Sequence, residues 1–178
     1  QCQWCSDDRC RLCLRSDSCR KKLSIAEQIA LYEQINRMLD IDSFYVALYD
    51  ESSGMIEFPL LIGEEGPVEL DPRPIGEVPG ITGYVIELRK PLHVADLRSL
   101  GENAPFEIIP VDEDPTNSYI GVPLMSRDRV IGVLSVQSSR PNTYSEEDLR
   151  LLETVATQAS TAIENARAYE RLAETAEE

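Results

Sequence analysis

Residues 118–139 read SYIGVPLMSRDRVIGVLSVQSS. Two apolar, β-branched runs flank the polar turn Ser126-Arg127-Asp128-Arg129, which is the pattern of an antiparallel hairpin. This is the clearest strand signal in the chain, and the rest of the fold builds outward from it. On its C-terminal side, residues 144–178 (YSEEDLRLLETVATQASTAIENARAYERLAETAEE) read as one long helix. Ser145 caps it, Asp148 sits at N3, and Tyr144 staples against Leu149. A heptad-like stripe follows through Leu152, Val155, Ala159, Ala162, Ala166, Tyr169 and Ala173, whose alanines let another helix approach closely.

On the N-terminal side, residues 23–40 (LSIAEQIALYEQINRMLD) place Ile25, Ile29, Tyr32, Ile35 and Leu39 on one helical face. Ser24 and Glu27 supply a capping box at its start. FYVALYD (44–50), the turn ESSG and MIEFPLLIG (55–63) then predict a second hairpin. Residues 63–79 read as a loop with a short strand. GITGYVIELRKPLHVADL (80–97) predicts a short apolar helix, stopped at Arg89-Lys90-Pro91, and then a strand. Residues 101–118, with Pro105, Pro110 and Pro115, are irregular. The fold class is therefore α+β: an antiparallel sheet with the N- and C-terminal helices packed on one face and loops with the short helix on the other. A sheet roofed by irregular structure suits a small-molecule pocket. It is expected near Gly80, Tyr84, His93, Asp96, Tyr119 and Gly121.

The net charge of −15 is uneven. Residues 1–22 carry six basic and three acidic side chains, leaving 11 basic and 29 acidic in residues 23–178. A body this acidic repels phosphate backbones, which argues against nucleic-acid binding. No apolar run is long enough to span a membrane and no signal-peptide core is present. Beginning at a glutamine, the chain reads as a fragment, with residues 173–178 starting a linker to an output domain.

The order and spacing of residues 80–97, 118–137 and 144–172 resemble the GAF domain family, the resemblance covering residues 24–172. It implies a cytoplasmic sensory or regulatory module, a homodimer through its terminal helices, joined to a downstream signalling domain. Family ligands include cyclic nucleotides, bilins, haem and small acids, so the resemblance leaves the ligand open. Bilin attachment and reduction of free methionine sulfoxide use cysteines, and residues 20–178 contain none. The cyclic-nucleotide pattern finds only Asn142, Tyr144 and Asp148, with Thr143 and Leu149 out of place. Haem has one candidate ligand, His93, which reads better as an ordinary packed side chain. The GAF-like body is therefore expected not to be an enzyme.

All five cysteines fall in the head, residues 1–22, as Cys2, Cys5, Cys10, Cys13 and Cys19. Two C-x2-C pairs act as chelating knuckles, and disulfides are disfavoured in the cytoplasm. Their separation is short for zinc, whereas Cys5, Cys10 and Cys13 reproduce a C-x4-C-x2-C iron–sulfur triplet. Arg9, Arg11 and Arg15 offset the charge of a thiolate site. The expected cofactor is an iron–sulfur cluster or zinc, with redox or small-ligand sensing as the function. The alternatives are a dimerisation module with an empty pocket and structural zinc, and a thiol redox enzyme.

Overall fold

The computed structural model describes residues 25–76, 80–107 and 115–176. Its elements are α1 (Ile25–Asn36), β1 (Ser43–Asp50), β2 (Met55–Gly63), β3 (Gly66–Pro67), β4 (Arg73–Pro74), α2 (Ile81–Leu88), β5 (Leu92–Val94), β6 (Ser118–Ser126), β7 (Arg129–Ser138) and α3 (Glu146–Ala176), with a 3-10 segment over Leu97–Asn103. The sheet has seven strands in the order β3-β2-β1-β7-β6-β5, and β4 also pairs with β2. Every strand pairing is antiparallel.

The decisive hairpin forms as expected, its two-residue turn placing Arg127 at a φ of 53°. It supplies the central strand β7, which pairs with β1 on one side and β6 on the other. Alternation along the strands divides the core into two layers. Phe44, Val46, Leu48, Ile120, Val122, Leu124, Leu134 and Val136 face α1 and α3. Tyr45, Ala47, Tyr119 and Val133 face α2 and the 3-10 segment. The α+β architecture expected from the sequence is the one observed.

Within the long strands two prolines lie away from the ends, each where the ladder has a gap. Pro59 falls in the register shift between β1 and β2, and Pro123 lies beyond Gly121, where β5 ends. Gly132 is dictated by close approach: a Cβ there would stand 2.1 Å from the Ala47 carbonyl oxygen.

The helices differ in detail from the sequence expectation. α1 ends at Asn36, and buried Leu39 sits in the turn that follows. The capping box on α3 is present: Asp148 Oδ2 accepts from the Ser145 N–H at 2.7 Å and its hydroxyl at 2.8 Å. The buried stripe of α3, however, is Leu152, Val155, Ala156, Ala159 and Ile163. Packing onto a sheet buries a wider, 3.6-period stripe than a coiled-coil seam, so Ala162 and Ala166 are only half-buried. The cap at Ser24 and the side chains of Ile25, Ile29, Tyr169 and Ala173 lie outside the described residues, as does the cysteine head.

Candidate functional site

On the α2 face of the sheet, pairing brings Tyr45 of β1, Ser135 of β7 and Gly121 of β6 into one row. A Cβ at Gly121 would lie 2.3 Å from the Tyr119 hydroxyl. Glycine there lets the Tyr119 ring lie back along its own strand. The Tyr119 hydroxyl then reaches the Tyr45 hydroxyl at 2.9 Å, and Tyr45 also bonds Thr82 Oγ1 on α2 at 2.8 Å. Burial pushes the Tyr45 phenol above its ordinary pKa, although the Thr82 and Tyr119 hydroxyls pull the other way. Tyr119 is pushed well up, by burial first and by Tyr45 second. Both phenols are therefore neutral at physiological pH and act as hydrogen-bonding groups.

Beside this cluster, between the β2–β4 edge of the sheet and the start of α2, lies a cavity of about 220 Å³. Ile56, Phe58, Leu61, Leu70 and Ile75 give it an apolar wall, and Tyr45, Thr82 and Gln137 give it a polar floor. Gly80, Ile81 and Gly83 bring the first turn of α2 to its surface. Two charges line it as well: Arg73, whose guanidinium carbon stands 4.9 Å above the Phe58 ring, and Glu107, which is exposed beside Gly80. An apolar pocket with a few convergent polar groups is the usual form of a small-ligand site.

The structure distributes the six expected pocket residues unevenly. Gly80 lines the cavity. Tyr119 and Gly121 share its sheet face without lining it, and Tyr119 holds the Tyr45 hydroxyl in place. Tyr84 points its ring at Phe106, 5.3 Å away and tilted by 46°. Asp96 caps the 3-10 segment, accepting from the Arg98 backbone N–H at 3.0 Å and pairing with its guanidinium at 2.9 Å. Those bonds to Arg98 hold the Asp96 carboxyl below its usual range. His93 is on β5, with Nε2 3.1 Å from the Tyr144 carbonyl oxygen and Nδ1 3.3 Å from Glu146 Oε1. Its two nitrogens thus tie β5 to the start of α3, away from the cavity. Tyr45, Gln137, Arg73 and Glu107 escaped the sequence reading. The first two share a sheet face with Tyr119 once the register is known, and that register is the signal that finds them.

A family model described as the GAF domain matches residues 29–164. The chain belongs to the GAF domain family. Among solved structures, this GAF domain is similar to free methionine-R-sulfoxide reductase from Neisseria meningitidis in complex with its substrate (22% identity, 81% of this chain and 80% of that one, TM-score 0.66). It is also similar to the GAF domain of Acinetobacter phosphoenolpyruvate-protein phosphotransferase (26%, 81% and 83%, TM-score 0.61). A third is a methyl-accepting chemotaxis protein, residues 122 to 287 (17%, 78% and 87%, TM-score 0.62).

The first of these corrects the expectation that the body is not an enzyme: its architecture is one that free methionine-R-sulfoxide reductases also use. The expectation rested on residues that the known chemistries would need, cysteines above all, and a fold does not decide between binding and catalysis. Among the described residues no group of three or more His, Cys, Asp or Glu is placed to hold a metal, and no helix is long and apolar enough to cross a membrane. Cys2, Cys5, Cys10, Cys13 and Cys19 lie outside those residues.

Proposed function

We propose that the chain is a regulatory GAF domain that binds a small ligand in the cavity between the sheet and α2, and that ligand occupancy is passed on through the terminal helices of a homodimer. The observation that carries this reading is the cavity itself, with five apolar side chains on one wall and Tyr45, Thr82 and Gln137 converging beneath. α2 contributes both a wall of the cavity and the Thr82 hydroxyl bonded to Tyr45. A ligand that engages Tyr45 therefore changes how α2 is held on the sheet. The cysteine head adds an iron–sulfur cluster or zinc ahead of α1, a cytoplasmic redox input to the same helices. Thermal-shift measurement against a panel of small metabolites tests the cavity. At least one compound raises the melting temperature, and Ile75→Trp, which fills the cavity from its wall, removes that shift. No stabilising compound, or a shift untouched by Ile75→Trp, contradicts the proposal.

A second reading is favoured by the likeness to free methionine-R-sulfoxide reductases together with the five clustered thiols. Two thiols and a sulfoxide yield a disulfide, a sulfide and water, so a head that reached the cavity would supply the electrons for such a reaction. The chain's absorption spectrum and metal content after anaerobic purification separate the two. Stoichiometric iron or zinc assigns the cysteines to a resident site. Metal-free thiols that reduce free methionine-R-sulfoxide assign them to catalysis.

A further inference from the structure

The geometry points to a specific ligand chemistry: a small carboxylate with a compact apolar body, its carboxylate held by the first turn of α2, the Gln137 amide and the Arg73 guanidinium. This rests on the cavity being the ligand site, as proposed above, and names what fills it.

The first turn of α2 is bare. Gly80 enters it with extended backbone (φ −63°, ψ 172°) and no side-chain cap, and no acidic residue stands in the turn. The first bond within the helix joins the Tyr84 N–H to the Gly80 carbonyl at 2.9 Å, leaving the N–H groups of Ile81, Thr82 and Gly83 without helical acceptors. All three residues line the cavity. Free N–H groups and the positive end of the helix dipole attract an anion.

Gln137 supplies an independent observation. It is 7% exposed and lines the same cavity. Its carbonyl oxygen accepts from the Thr116 hydroxyl at 2.9 Å, and no described residue accepts from its amide nitrogen. An amide N–H group of a cavity-lining residue with no acceptor among the described residues is available to a bound ligand. Arg73 is the third element. In a chain of net charge −15, this half-buried cation enters no ion pair with a described residue, and its guanidinium carbon stands 4.9 Å from the Phe58 ring centroid at the cavity wall. A guanidinium at a cavity wall without an ion-pair partner offers its fork of N–H donors to a carboxylate.

Size limits the rest. At about 220 Å³ the cavity is smaller than the roughly 300–1,000 Å³ typical of drug-sized ligands, which favours a compact ligand. The body must be apolar to match Ile56, Leu61, Leu70 and Ile75. Glu107, exposed at the rim beside Gly80, disfavours a second negative charge and suits an ammonium next to the carboxylate. The ligand is thus a plain carboxylic acid or an α-amino acid, both presenting the same carboxylate.

Isothermal titration of the full chain with three probes of one carbon skeleton tests this: 4-methylpentanoate, 4-methylpentanamide and L-leucine. The carboxylate is expected to bind about tenfold more tightly than the amide, a difference of about 1.4 kcal/mol. Arg73→Gln reduces affinity for the carboxylate by about the same factor and leaves the amide unchanged. Tighter binding of L-leucine than of 4-methylpentanoate, lost in Glu107→Gln, upholds the proposal and assigns the amino acid; equal or weaker binding of L-leucine upholds it and assigns the plain acid. Ile75→Trp abolishes binding of every probe, and Leu70→Trp gives the same readout should that variant not fold. Amide binding as tight as the carboxylate but sensitive to Ile75→Trp overturns the carboxylate and leaves the cavity as the ligand site. Binding insensitive to both tryptophan variants overturns both readings. Failure of all three probes to bind overturns the carboxylate proposal.

Discussion

At Asp42 one carboxylate oxygen accepts three hydrogen bonds: from the Ser139 N–H at 2.8 Å, the Ser138 hydroxyl at 2.8 Å and the Ser139 hydroxyl at 2.9 Å. Partial burial pushes its pKa up, but these donors and the nearby Arg140 outweigh it, and the group sits below the ordinary 3.8. A depressed carboxyl adds stability that is fully present above its unfolded pKa and is lost as pH falls through its folded one. Asp42→Asn is therefore expected to cost about 1 kcal/mol at pH 7, discounted for its solvent exposure, and to flatten the loss of stability below about pH 4. Urea melts at pH 7 and pH 3 check both. At Tyr144 the balance is reversed. Its buried hydroxyl has no hydrogen-bond partner among the described residues, and burial drives its pKa strongly upward. Tyr144→Phe removes an unsatisfied group and should leave stability unchanged or raise it by about 1 kcal/mol; a clear loss would reveal a partner for that hydroxyl. Tyr45→Phe strands the Tyr119 and Thr82 hydroxyls and should cost about 2 kcal/mol in the same melts.

Elements were legible in the sequence where a local pattern determines them. The hairpin at 118–139 has alternating β-branched residues and a two-residue turn, and the start of α3 has a capping box whose members touch as expected. On α3 the sheet also buries Ala156 and Ile163, which a heptad stripe leaves out, since a seven-residue repeat describes a partner helix and a sheet takes a 3.6-period face. Long-range pairing left no such local mark. That a Cβ at position 132 would stand 2.1 Å from the Ala47 carbonyl oxygen follows only from setting β1 against β7. Gly132→Ala should accordingly cost about 3 kcal/mol by forcing those strands apart. The end of α2 offers the opposite change. Arg89 occupies a left-handed conformation (φ 55°) while its N–H bonds the Val85 carbonyl at 3.0 Å. Arg89→Gly should raise stability by about 1 kcal/mol, since glycine adopts that conformation without a Cβ clash; a destabilised variant would contradict this.

At the scale of the whole molecule, one sheet serves two layers. The layer under α1 and α3 is closed by large aliphatic side chains, whereas the layer under α2 holds hydroxyls, an amide and a cavity. The sequence leaves one sheet face to the loops, because helices at both ends of the chain take the other, and the cavity lies on that loop-covered face. It did not place Tyr45, Gln137 or Arg73, which come together only through strand register and the short β4 pairing. Residues Ala162 and Ala166, half-buried on α3, remain available for the proposed homodimer. Sedimentation velocity should show twice the chain mass, and a monomer at micromolar concentration would contradict that assembly.

The central claim is that ligand binds between the sheet and α2. The most direct measurement is a ¹⁵N chemical-shift titration with 4-methylpentanoate or with a compound that raises the melting temperature. The largest changes are expected at the Thr82 and Gly83 backbone amides and the Gln137 side-chain amide, with α3 residues 152–163 little affected. Changes concentrated on α3 or on the His93–Glu146 contact, with Thr82, Gly83 and Gln137 silent, would contradict it.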